Sequence, residues 1–139
     1  MRVHSSDIAP YAVVLCATLA FGGCGDGRNH LTEVQRAKAG TVSVVVLSSR
    51  DAVRHGKDTF VLEFRSPEES LADVGDVRAT ATMPMTGMPM FGSIDVRRTN
   101  IPGRYSVESQ LEMAGTWRMN LQWTGGGEPR TLSFSWPVQ

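Results

Sequence analysis

From Gly40 onward the apolar residues of this chain recur at every second position. That period decides what the chain can fold into, because successive side chains of a strand point to opposite faces, whereas a helix repeats every 3.6 residues. Val42, Val44 and Val46 share one parity, with Val45 and Leu47 on the other. Phe60, Leu62 and Phe64 alternate with Val61, Glu63 and Arg65, and Val77, Ala79, Ala81 and Met83 alternate with Arg78, Thr80 and Thr82. Ile94 and Val96 alternate with Asp95 and Arg97. Tyr105, Val107, Leu111 and Met113 stand against Ser106, Glu108, Gln110 and Glu112. Trp117, Met119, Leu121 and Trp123 stand against Arg118, Asn120, Gln122 and Thr124, and Leu132, Phe134 and Trp136 against Ser133 and Ser135.

Turn signals separate these seven runs: His55-Gly56, Ser66-Pro67, Pro102-Gly103, Ala114-Gly115 and Gly125-Gly126-Gly127. Short alternating strands at this spacing predict an all-β fold, an immunoglobulin-like antiparallel β-sandwich of about seven strands. The aromatic inward faces of the last two strands supply much of its expected core. A length of 139 residues allows one such domain and not two. The 14 basic and 14 acidic residues cancel, and no basic run is present. Nucleic-acid binding, which needs clustered Lys and Arg against phosphate, is therefore not expected.

The first residues read as an address. Arg2 precedes an apolar run from Ala9 to Phe21, the length of a signal-peptide core and short of the roughly 20 residues of a membrane span. The run ends at Phe21-Gly22-Gly23-Cys24, which resembles the lipobox of bacterial lipoproteins, with Phe21 where Leu is usual. Residues 1–23 are expected to be a signal peptide, with Cys24 as the lipidated residue. Gly25 follows it, so the outer membrane is the default destination. Residues 24–40 are expected to form a tether, in which Leu31 to Ala39 has room for a short helix stopped by Gly40. Residues 41–139 are expected to form the sandwich.

The segment most suggestive of chemistry is Met83-Pro84-Met85-Thr86-Gly87-Met88-Pro89-Met90, which holds four of the seven methionines of the chain. A thioether is a soft, neutral ligand that suits Cu(I) or Ag(I) and needs no deprotonation. Met85 and Met88 flank the turn and are the first candidates for a metal. Met83 and Met90 carry inward parity and serve either as ligands or as core. Met113, before the Ala114-Gly115 turn, and His55 are further candidates. Enzyme signatures are missing: the chain has no GxSxG, no HExxH and no phosphate-binding glycine loop between a strand and a helix. Neither an enzymatic activity nor catalytic residues are expected.

Several of these pieces occur together in one known family. His55-Gly56-Lys57-Asp58-Thr59-Phe60, the Met-Pro-Met loop, Gly103-Arg104-Tyr105 and Met113-Ala114-Gly115-Thr116-Trp117 resemble, in order and spacing from about residue 42 to residue 137, the YtkA-like domain and its relative FixH. Asp58 stands where Asn is common in that family. The resemblance implies an exported immunoglobulin-like sandwich with an accessory role in copper or heavy-metal handling on the periplasmic face of a bacterial membrane. The implied partners are the membrane itself, through the lipid at Cys24, and an envelope efflux or oxidase-assembly protein. The alternative is a docking module for such a partner, without metal.

Overall fold

The structure, a computed structural model, describes residues 30–139. The expected signal peptide, the lipobox-like segment and Cys24 lie outside the described residues. The described part is built of eight antiparallel strands: β1 (Thr32–Ala39), β2 (Val42–Ser48), β3 (Gly56–Arg65), β4 (Val77–Met83), β5 (Met90–Arg98), β6 (Arg104–Leu111), β7 (Gly115–Trp123) and β8 (Arg130–Val138). Strands β2 to β8 are the seven alternating runs of the sequence.

One expectation is corrected. Leu31 to Ala39 does not supply a helix; Thr32–Ala39 forms β1, which pairs with β2 from Ala39↔Val42 to Thr32↔Ser48. Gly40, expected to stop a helix, has φ 63° and shapes the two-residue turn of a hairpin with Thr41. A helix of this length is unstable alone, whereas the free edge of β2 offers a full ladder of backbone partners. The sandwich therefore includes 32–39.

The strands form one continuous ladder in the order β1-β2-β3-β6-β5-β4-β7-β8, folded into two layers at β5. Ser93 to Arg98 of β5 pair with β6, while Met90 to Gly92 pair with β4. Gly92 sits at the switch. A Cβ there would stand 2.3 Å from Leu111 Cδ2 and 3.1 Å from Trp117 Cζ3, so the crossing of layers needs a residue without a side chain. The two ends of the ladder meet at a seam, where the Gln35 side-chain amide donates to the Ser135 carbonyl at 3.2 Å.

The core lies between the layers. Val44, Val46, Phe60, Leu62, Phe64, Tyr105, Val107 and Leu111 face Ala81, Met83, Trp117, Met119, Leu121, Trp123 and Trp136. Each large side chain so buried contributes about 1.5–3 kcal/mol. Aromatic rings meet edge to face, Phe60 on Trp136 at 5.2 Å and Phe64 on Trp123 at 5.2 Å.

Glu63 alternates outward as its parity requires, yet only 2% of it is exposed. Register places Arg36, Val45, Glu63 and Arg104 side by side across β1, β2, β3 and β6. Arg65 Nε donates to Glu63 Oε2 at 2.9 Å and Arg104 Nε to Glu63 Oε1 at 2.8 Å. The chain of charges continues from Arg65 to Glu69 at 3.2 Å, from Glu69 to Arg36 at 2.8 Å, and from Arg36 to Glu33 at 2.9 Å. Val45, on the same outward face, is fully buried. Hydrogen bonds from Arg36 hold the Glu33 and Glu69 carboxyls below the usual carboxylate range, with Arg65 adding to the effect on Glu69.

Candidate functional site

Strand direction brings the sequence-predicted ligands to one end of the sandwich. Strands β2, β4, β6 and β8 finish there, and β3, β5 and β7 begin there. The loops 49–55, 84–89 and 112–114 therefore share that end with Gln139.

Met83↔Met90 is the last rung between β4 and β5. Pro84 and Pro89 stand just beyond it on either side, and a prolyl nitrogen cannot donate a further ladder bond. The ladder stops and the loop leaves the sheet, turning at Gly87 with φ 93°. Met85 is 47% exposed and Met88 79%. Met83 goes inward, is 8% exposed, and sets its methyl against Gly115, where a Cβ would lie 2.7 Å from Met83 Cε. Met90 is partly buried and packs against the core. The structure thus separates the four methionines of the loop into two thioethers at the tip and two that pack inward.

Met113 lies in the neighbouring turn, 41% exposed, and outside β6 although its parity continues that strand. Its carbonyl accepts the Trp117 indole N–H at 2.9 Å, which fixes the turn to the core beneath it. Leu111 pairs with Gly56, and Gly115 touches Met83, so the Met113 turn sits between His55 and the Met-Pro loop.

His55 is exposed and tied to the end of β8. Its backbone N–H donates to the Gln139 carbonyl at 2.7 Å, and its Nδ1 lies 3.0 Å from the same oxygen. That oxygen only accepts, so in the neutral ring Nδ1 carries the proton and Nε2 keeps its lone pair. Asp58 is buried beneath this loop and accepts from the Arg54 and Thr59 backbone N–H groups at 2.8 and 2.9 Å, with Arg50 at 3.6 Å. Among the described residues no group of three or more His, Cys, Asp or Glu side chains is placed to hold a metal. The soft donors at this end are the thioethers.

Two features of this end escaped the sequence. Phe91, one residue past the loop, is 71% exposed. Its signal was present, since the inward parity of Met90, Gly92 and Ile94 forces Phe91 outward. A groove of about 430 Å³ also opens on the outer face of β3, β6 and β5, lined by Arg50, Lys57, Thr59, Asp95 and Glu108 among others. It depends on loop 49–55 lying beside the sheet, which no local pattern encodes.

The sequence profile of the YtkA-like family matches residues 36–122. The chain belongs to the YtkA-like family. The pieces of the family pattern now have physical roles in this YtkA-like domain. Gly56 has φ 78° and begins β3, and Asp58 closes the loop before it by accepting the Arg54 backbone N–H. Gly103 has φ 84°, and a Cβ there would lie 2.8 Å from the Ala72 carbonyl oxygen. The Tyr105 hydroxyl donates to the Gly75 carbonyl at 2.6 Å. Met113, Gly115 and Trp117 form the turn that holds Met83.

No curated protein matches the chain. Among solved structures, a crystal structure of selenomethionine PcoC, a copper resistance protein from Escherichia coli, aligns with TM-score 0.45 and 19% identity over 63% of this chain and 91% of that one. A second structure of PcoC, described as a methionine-rich copper resistance protein, gives 0.44 and 18% over 63% and 89%. The Lin-41 filamin domain gives 0.43 and 16% over 76% and 98%. All three likenesses are remote in sequence and partial in shape.

Proposed function

We propose that this YtkA-like domain is a non-enzymatic accessory, anchored by lipid at Cys24 on the periplasmic face of a bacterial membrane, with the outer membrane as default. Its cargo is Cu(I) or a related soft ion such as Ag(I). The observation that carries the reading is the division of the Met-Pro loop: Met85 and Met88 stand out in solvent on a proline-bounded turn, while Met83 is buried. Proline leaves the loop less conformational freedom to lose on binding. Two thioethers, with Met113 and His55 Nε2 at the same end as further donors, form a neutral soft donor set. A site of two or three thioethers exchanges its ion readily, as a carrier handing metal to an envelope efflux or oxidase-assembly protein requires.

The test is a Cu(I) titration of the mature chain against a colorimetric competitor, beside Met85→Leu/Met88→Leu. Stoichiometric competition that disappears in the double variant, with an unchanged folded spectrum, supports the reading. The exposed ring of Phe91 favours a second one, in which the same tip docks onto an envelope protein without metal. Wild-type protein that is folded and fails to compete for Cu(I) would leave that second reading standing.

A further inference from the structure

Two observations concern the same end of the molecule. The first is its surface. Met85, Met88, Phe91 and Met113 are large apolar side chains, each between 41% and 79% exposed, on neighbouring turns and the strand start beside them. Clustered exposed apolar side chains mark a contact surface more than a solvated one.

The second is where the chain comes in. β1 begins at Thr32, which pairs with Ser48 at the finish of β2. The segment from Cys24 therefore joins the sandwich at the end that carries the Met-Pro loop. Seven residues, 25–31, lie between Cys24 and Thr32. Fully extended, the eight Cα steps from Cys24 to Thr32 reach about 28 Å. The nine-residue strands β7 and β8 span about 26 Å over eight steps of 3.3 Å, and the loops add to that length. Turning the opposite end to the membrane would take a fully extended tether run back along the whole sandwich, whereas a tether with any slack leaves the entry end beside the anchor.

We propose that the Met85, Met88, Phe91 and Met113 end is a membrane-facing surface whose apolar side chains dip into the headgroup region of the bilayer that holds the anchor. The occupant of the patch is lipid. The proposal rests on the lipid anchor of the function proposed above and not on metal binding. It adds an orientation: the Met-Pro loop works at the membrane surface, within one short tether of whatever protein is embedded there.

The experiment uses the mature lipidated chain in vesicles of phosphatidylethanolamine and phosphatidylglycerol. Cys16 leaves with the signal peptide and Cys24 is acylated, so one introduced cysteine is the single free thiol. Thr86→Cys, between the two tip methionines, and Ser70→Cys, at the opposite end, are each labelled with an environment-sensitive fluorophore and quenched by headgroup-proximal spin-labelled lipid. Quenching several-fold stronger at 86 than at 70 is the expected result, and Phe91→Ser/Met88→Ser reduces it. Equal quenching at both positions in a chain whose mass carries the acyl groups overturns the orientation and leaves the anchor intact. Weak lipid quenching with label–label proximity at 86 puts a second copy of the chain on the tip and overturns it too. A mature chain whose mass shows an unmodified Cys24 overturns the anchor and the orientation together.

Discussion

Replacing Glu63 with glutamine tests the least ordinary part of the packing. The Glu63 carboxylate is 2% exposed, and each of its oxygens receives a different guanidinium, from Arg65 and Arg104, whose side chains are 24% and 33% exposed. A carboxamide keeps one acceptor and turns N–H donors toward the other arginine, so two cations face a neutral group that satisfies only one of them. Removing one partner of a fully buried pair costs about 3–5 kcal/mol. Partial solvation of both arginines lowers this to about 2–3 kcal/mol. For a fold of about 110 residues that corresponds to roughly 10 °C in Tm. Urea denaturation at neutral pH, with wild-type protein and Glu63→Gln side by side, measures it directly. A companion variant, Glu63→Leu with Arg65→Leu and Arg104→Met, removes the whole charged group and should recover most of the loss. A loss below about 1 kcal/mol in Glu63→Gln, the size of a surface ion pair, would refute the view that this carboxylate is held away from water.

Gly92→Ala is expected to lose about 1–3 kcal/mol, because its Cβ enters the space of Leu111 and Trp117. Adding Leu111→Val should give back part of that loss, and strict additivity of the two changes in urea melts would show that the contact is not the cause. Tyr105→Phe removes the donor to the Gly75 carbonyl and is expected to cost about 1 kcal/mol. Burial pushes the Tyr105 phenol above its usual 10.0, so the folded state keeps a proton that the unfolded chain has lost. Stability of wild-type protein should then fall as pH rises past that value, and a Tyr105→Phe melt series that falls equally would assign the slope elsewhere. The Glu33 and Glu69 carboxyls are depressed from 4.5 in the fold, so their contribution is complete above that pH and is lost as pH falls below it. Arg36→Met should flatten that part of the acid stability curve.

The strands were legible because burial of one face imposes a period of two, and seven of the eight follow it. β1 was not, since TEVQRAKA has little alternation; it is a strand because the β2 edge needed a partner, a tertiary demand invisible in a local window. Glu63 shows the same limit. Its parity was correct, but its burial depends on Arg65 and on Arg104, 41 residues away. At the candidate site, parity assigned Met83 to the interior and the prolines marked Met85 and Met88 as the loop. What the sequence left open was that Met113 and His55 arrive at the same end, a result of strand direction across the hairpins and the crossover between β3 and β6. Met113 followed the inward parity of β6 yet fell outside the strand, because the Trp117 indole draws its carbonyl into the turn.

The graded exposure of the methionines also orders their oxidation. A peroxide reaches Met88 first, then Met85 and Met113, and reaches Met83 and Met119 last. Each sulfoxide replaces a soft sulfur donor by a polar group. The thioethers most readily oxidised are the ones that hold cargo in the proposed site, and none of the three is part of the core cluster. Oxidative damage would therefore silence such a site well before it unfolded the domain, and a reductase acting on surface sulfoxides would suffice to restore it.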